Sequence, residues 1–241
     1  MLGRMSQPNM IPTPPAILLP TTTGAAFPVR RVYCVGRNYA EHAREMGADP
    51  DREPPFFFSK PADALLPAGA LSRGITEMPY PPATDDLHHE IELVAALRSG
   101  GSDILLEGAL DHVWGYGVGL DMTRRDLQAI AKKQGRPWDM AKGFDHSAPI
   151  GLLVPTSDVD DPGRGAITLR VNGELRQQGD LSDMIWPLAE TIVFLSRLVR
   201  LEAGDLIFTG TPSGVGAVKR GDLLEGSIAG IGGVTVRIGG R

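Results

Sequence analysis

The sequence predicts a mainly β domain with helices packed at its edges (α+β), on three observations. Thirty glycines and twenty prolines are spread along the 241 residues without a repeat, which marks many turns between short elements. The apolar runs are short and often alternate, as half-buried strands do. Only three stretches carry convincing helical signals, near 39–46, 124–134 and 187–199. That balance does not suit a doubly wound α/β sheet.

Taken in order, residues 1–15 are polar and aperiodic, and 16–19 read as a short strand. Residues 1–28 are therefore expected to form a tail with one strand, and 29–241 a single domain. A strand over 29–35 ends at Gly36-Arg37-Asn38, where Asn38 is a good N-cap for helix 39–46, stopped by Gly47. Phe56-Phe57-Phe58-Ser59-Lys60 follows as a strand, then the run Leu87-His88-His89-Glu90-Ile91-Glu92-Leu93. A helical turn is expected over 107–112 and a glycine-rich strand over 113–120, delivering Asp121 at its end. Thr123 reads as the cap of helix 124–134, with Gly135 beyond it. Asn172-Gly173 marks a hairpin within 167–176. Ile192, Leu195 and Val199 form one apolar stripe on the last helix.

Composition narrows the function. A net charge of -5 gives no general pull towards nucleic acid or anionic membranes, so an anionic substrate needs a local cluster of cations. One cysteine, Cys34, cannot form an intrachain disulfide and suits a reducing compartment. With neither a membrane-length apolar run nor a secretory leader, a cytoplasmic protein is expected. Walker, dinucleotide and nucleophile-elbow motifs are missing.

On a continuous strand, Glu90 and Glu92 would point the same way while Ile91 and Leu93 face packing. Paired carboxylates repel unless a cation or proton lies between them, and a hard divalent cation is the usual relief. A solvent-facing edge strand is the plainer alternative. Other candidates also have plain readings: His42 and Glu45 as a solvated helical pair, Asp121 as a capping residue, Lys60 as a strand end reaching water. Arg124, Arg125, Lys132 and Lys133 could equally be the wet face of their helix.

The combination says more. Val35-Gly36-Arg37-Asn38-Tyr39 with His42 and Glu45, Phe58-Ser59-Lys60-Pro61, the 88–93 run, Gly119-Leu120-Asp121-Met122-Thr123, Arg125-Asp126-Leu127-Gln128, Ala141-Lys142-Gly143-Phe144-Asp145 and the 209–216 loop occur in this order. Together they resemble the fumarylacetoacetate hydrolase family, in its short acylpyruvate-hydrolase branch, and residues 49–56 look most like fumarylpyruvate hydrolases. The resemblance implies the mixed β-sandwich roll of that family's C-terminal domain and a homodimer. It makes Glu90, Glu92 and Asp121 ligands of Mg2+ or Mn2+, and His42 and Glu45 a water-activating dyad on a lid. Lys142 becomes a catalytic cation, while Lys60, Arg125, Gln128, Gly210 and Thr211 line the substrate site. The implied substrate is a small anionic acylpyruvate, cleaved at a C–C bond. A distal carboxylate on it would want a further cation, Arg37 or Arg124. One departure is visible: residues 32–38 lack the extra aspartate ligand of fumarylacetoacetate hydrolase itself, which argues for three carboxylates. Two rival readings share the metal site: oxaloacetate decarboxylation or tautomerisation, and a non-catalytic metal-stabilised binding protein.

Overall fold

The computed structural model describes residues 10–12, 14–41, 53–68 and 75–240. His42, Glu45 and the rest of 42–46, five of the eight residues of the helix expected over 39–46, lie outside the described residues.

Strands dominate, as expected. Phe56–Lys60, Arg31–Gly36, Asp205–Phe208, Ile91–Leu97, Val113–Leu120, Ala148–Ile150 and Leu65–Pro67 lie side by side in an eight-stranded mixed sheet, with Val154–Pro155 branching from Val113–Leu120. A five-stranded sheet runs Glu174–Asp180, Ala166–Val171, Leu223–Ile228, Gly232–Gly239, Thr76–Pro79. Alternation then divides the core in two. Ile91, Leu93 and Ala95 pack with Ile167, Leu169, Val234 and Val236 of the smaller sheet. Their neighbours Val94 and Ala96 face the opposite way, onto Val32, Cys34, Leu206 and Phe208. Glu92 shares that second face, at the end of the apolar patch.

Three α-helices whose bounds both fall within the described residues flank the sheets: α1 (Arg125–Gln134), α2 (Asp139–Lys142) and α3 (Leu188–Leu198). Gly135 ends α1 in the left-handed conformation at φ 63°. The Asn172-Gly173 turn also holds, with φ 52° and 81°, as a tight hairpin turn requires. The N-terminal strand is Ile17–Pro20, and it pairs with Ala26–Val29, burying Leu19 and Phe27 in the second core.

Two local expectations are corrected, and one residue has further partners. The 87–93 run is not one strand: Leu87–His89 belongs to a three-stranded sheet with Thr123–Arg124 and Gly216–Val218, and pairing resumes at Ile91 in the large sheet. Glu90 is the joint between the two. Thr123 is not a helix cap, because it is buried in that small sheet and its hydroxyl donates to the Asp121 carbonyl. Asn38 uses its side chain across the fold: Nδ2 donates to the carbonyls of Trp186 (3.0 Å) and Thr209 (2.7 Å), and Oδ1 accepts from Trp186 N–H.

The glycines of Val113–Leu120 are explained by close approach. A Cβ at Gly115 would lie 2.2 Å from the Val154 carbonyl oxygen, and one at Gly119 2.6 Å from the Phe208 ring. Their period of two puts both on one face of the strand, where the Val154 backbone and the Phe208 ring close over them.

Candidate active site

Antiparallel pairing assembles the acidic cluster. Ile91 is opposite Leu120 and Glu92 opposite Gly119, so the residue leaving each strand, Glu90 and Asp121, must meet. The Asp121 N–H donates to the Glu90 carbonyl at 2.8 Å. Carboxylate oxygens of Glu90, Glu92 and Asp121 lie within 4.8 Å of one another, and all three residues are buried.

Three cations face them. Lys142 Nζ is 2.8 Å from Glu90 Oε2 and 2.6 Å from Asp121 Oδ2. Arg125 Nη2 is 2.5 Å from Glu90 Oε1, while its Nη1 donates to Gln128 Oε1. Lys60 Nζ is 2.8 Å from Asp121 Oδ1. Glu92 has no lysine or arginine at hydrogen-bond distance among the described residues; Oε2 accepts from the Gly210 N–H at 2.8 Å. Burial, then Asp121, then Glu90 push its carboxyl well above the usual range, against the pull of Lys142 and Gly210. Burial alone would lower Lys142, but Asp121 and Glu90 outweigh it and the ammonium is held more tightly than usual.

The donor set fits a hard divalent cation. All the donors are carboxylate oxygens, they converge in a buried place, and Asp121 Oδ1 accepts no hydrogen bond despite the nearby ammonium. Glu90, Glu92 and Asp121 are the residues that would hold it. Cys34 sits close by, but burial, then Asp121, raise its thiol well above the ordinary value, so it is no thiolate nucleophile.

The cluster opens into a small cavity lined by Glu90, Glu92, Arg125, Gln128, Lys142 and Thr211, among others. The structure thus brings together seven of the residues singled out from sequence, counting Asp121 behind Glu90 and Lys142. Lys60 is placed differently. It is buried behind Asp121, donating to the Met122 and Lys142 carbonyls and to Ser147 Oγ, and it does not line the cavity. Lys60 Nζ is thus held against Asp121 in the wall of the site. Gly210, at φ 94°, uses its N–H on Glu92, and a Cβ there would lie 2.7 Å from that of Asn38.

Sequence reasoning missed two contributors. Gln177, from the far hairpin, accepts from Ile91 N–H and His89 Nδ1 and donates to Thr211 Oγ1 at 2.8 Å, fixing that hydroxyl. Because its oxygen already takes an N–H from Ile91, His89 is assigned the tautomer with a proton on Nδ1; burial lowers its pKa to about 4, so it is neutral. No local pattern announces Gln177. Lys132, which the sequence suggests as wet helix surface, also lines the cavity. Here the signal existed: Arg125, Gln128 and Lys132 are spaced three and four apart and share one face of α1.

The arrangement is a mixed β fold that holds three buried carboxylates, a group able to bind a divalent cation, against lysine and arginine side chains. Residues 31–239 match the model of the fumarylacetoacetate (FAA) hydrolase C-terminal domain. The chain belongs to the fumarylacetoacetate hydrolase family. It is 55% identical to the fumarylpyruvate hydrolase of Pseudomonas aeruginosa, solved in complex with Mn2+ and pyruvate, at a TM-score of 0.94, covering 97% of this chain and 100% of that one. It is 43% identical to the mitochondrial oxaloacetate tautomerase FAHD1 of Rattus norvegicus, over 84% of this chain and 88% of that protein. It is 42% identical to the mitochondrial oxaloacetate decarboxylase of Dictyostelium discoideum, over 84% and 90%. Among the described residues no helix is long and apolar enough to cross a membrane.

Proposed function

We propose that the protein hydrolyses acylpyruvates, with fumarylpyruvate as the substrate and fumarate and pyruvate as products, using Mg2+ or Mn2+ at Glu90, Glu92 and Asp121. The observation that carries this reading is the buried carboxylate set faced by Lys142 and Arg125 at the floor of a cavity. Support also comes from the full-length likeness to the Pseudomonas aeruginosa fumarylpyruvate hydrolase.

In this reaction water oxygen bonds to the acyl carbonyl carbon, and the bond from that carbon to C3 of the pyruvate half breaks. The electron pair stays with pyruvate as an enolate, which then takes a proton at C3. A divalent cation in the carboxylate set supplies Lewis acidity for that developing charge. Arg125, Gln128 and Thr211 orient the anionic pyruvate half, and Lys142 lends a fixed positive charge beside it. His42 takes the water's proton, with Glu45 orienting its imidazole. His42→Ala is expected to lower kcat by about 100-fold or more while leaving Mn2+ affinity unchanged by calorimetry. Wild-type turnover in that variant would remove His42 as the base.

A second reading has its own support in the tautomerase and decarboxylase relatives: oxaloacetate tautomerisation or decarboxylation, which passes through a similar enolate without attacking water. Steady-state rates on fumarylpyruvate, acetylpyruvate and oxaloacetate, with and without Mg2+ or Mn2+, separate the two. Oxaloacetate turnover with both acylpyruvates left intact would overturn the hydrolase assignment.

A further inference from the structure

Beside the small cavity lies a wider cleft of about 630 Å3. Arg37, Phe58, Lys132 and Trp138 line both, so the cleft continues the space that begins at Glu90 and Glu92. One wall is aromatic. Trp138 meets Phe56 at 5.0 Å between ring centroids and Phe58 at 5.9 Å, and period two along Phe56–Lys60 places both phenylalanines on the face that ends in Lys60. Such a wall takes a flat, conjugated chain. Gly36 makes room for it, since a Cβ there would lie 2.6 Å from the Phe56 ring.

The opposite feature is cationic. Among the described residues no carboxylate forms an ion pair with Arg37 or Lys132, whereas Arg125 and Lys142 are both committed to Glu90. Burial, then the like charges of Arg37 and Arg125, lower the Lys132 pKa; Asp139 also lines the wider cleft but forms no ion pair with Arg37 or Lys132. Arg37 is also held at φ 59°, an unfavourable backbone for a residue with a Cβ and one that clusters at functional sites. Arg124, the other candidate, is occupied elsewhere: its guanidinium lies 4.4 Å from the Phe144 ring centroid and donates to the Met140 carbonyl.

We propose that Arg37 and Lys132 form a second anion subsite that binds a carboxylate at the far end of the acyl chain, and so select planar, carboxylate-ended acylpyruvates over short neutral ones. This rests on the hydrolase reading for its reaction but not for its binding chemistry. The guanidinium fork suits a carboxylate, and Lys132 adds a point charge beside it.

The test compares fumarylpyruvate with acetylpyruvate, which shares the pyruvate half and lacks the distal carboxylate, on the Mn2+-supplemented enzyme. In Arg37→Met and Lys132→Met the ratio of kcat/KM for the two substrates is expected to fall about tenfold each, and about a hundredfold in the double variant, mainly through KM. Lys132→Glu should lower the ratio further. An unchanged ratio overturns the subsite, including the case where both activities fall together. If the wild type cleaves neither compound, the hydrolase reading fails on its own. Calorimetry with the same two ligands then decides the subsite: loss of the preference in the variants supports it, and a preference for fumarylpyruvate that survives both substitutions, or is absent from the wild type, overturns it.

Discussion

Glu92→Gln is expected to make the metal-free protein more stable while making it a worse enzyme. Glu92 is buried against Asp121 and Glu90, and its relief comes from the charge of Lys142 at a distance and from one backbone N–H. The amide keeps an oxygen for Gly210 and removes the like charge, which is worth on the order of 1 kcal/mol, or roughly 2–4 °C in Tm for a chain of this size. The same change removes one anionic oxygen donor from the set that would hold the cation. Mn2+ affinity should fall by at least about a hundredfold, the upper end of what even indirect supporting groups cost. Turnover should fall about a thousandfold, equivalent to several kcal/mol of transition-state stabilisation. Calorimetric Tm without metal, Mn2+ titration and kcat measured on one preparation would test it. A lower apo Tm, or unchanged Mn2+ binding, would count against the assignment of Glu92.

Lys142→Met should move apo stability the other way. The ammonium bridges Glu90 and Asp121 at 2.8 and 2.6 Å in a buried place, so its loss leaves two carboxylates without that partner. Breaking such a pair costs about 3–5 kcal/mol, or roughly 10 °C in Tm. Added Mn2+ should restore much of that stability, since a dication can take over the balancing charge, but not turnover, which in the proposed reaction also loses the fixed cation beside the enolate. Wild-type kcat in the Lys142→Met variant with Mn2+ present would show that Lys142 only stabilises the fold.

The contrast between these two substitutions also shows which parts of the site were legible in the sequence. The acidic set was, because Glu90 and Glu92 flank one strand start and Asp121 follows the next strand, and antiparallel neighbours must bring such ends together. Alternation alone does not explain the pair, since it needs a continuous strand and Glu90 interrupts it. Lys60 was legible as important but not as a wall residue, since its partners Met122, Lys142 and Ser147 come from distant segments. The four-residue helix α2, which presents Lys142, is too short for periodicity to reveal. Gln177 and the three-way grip of Asn38 depend on packing between sheets, which no local pattern encodes.

All three acids sit on a single antiparallel pair, whereas Lys60 and Lys142 join it from outside. Contacts between near neighbours in the chain form with less loop-closure cost than remote ones. Lys142 is only 21 residues from Asp121, but Lys60 is much further away along the chain, so the acids can gather before the Lys60 ammonium is in place. That ordering puts electrostatic repulsion on the ascent to the folding barrier, where a dication can relieve it. Stopped-flow refolding should be faster in Mn2+ than in chelator, with a smaller difference in Glu92→Gln, so the ion proposed for catalysis would double as a folding aid.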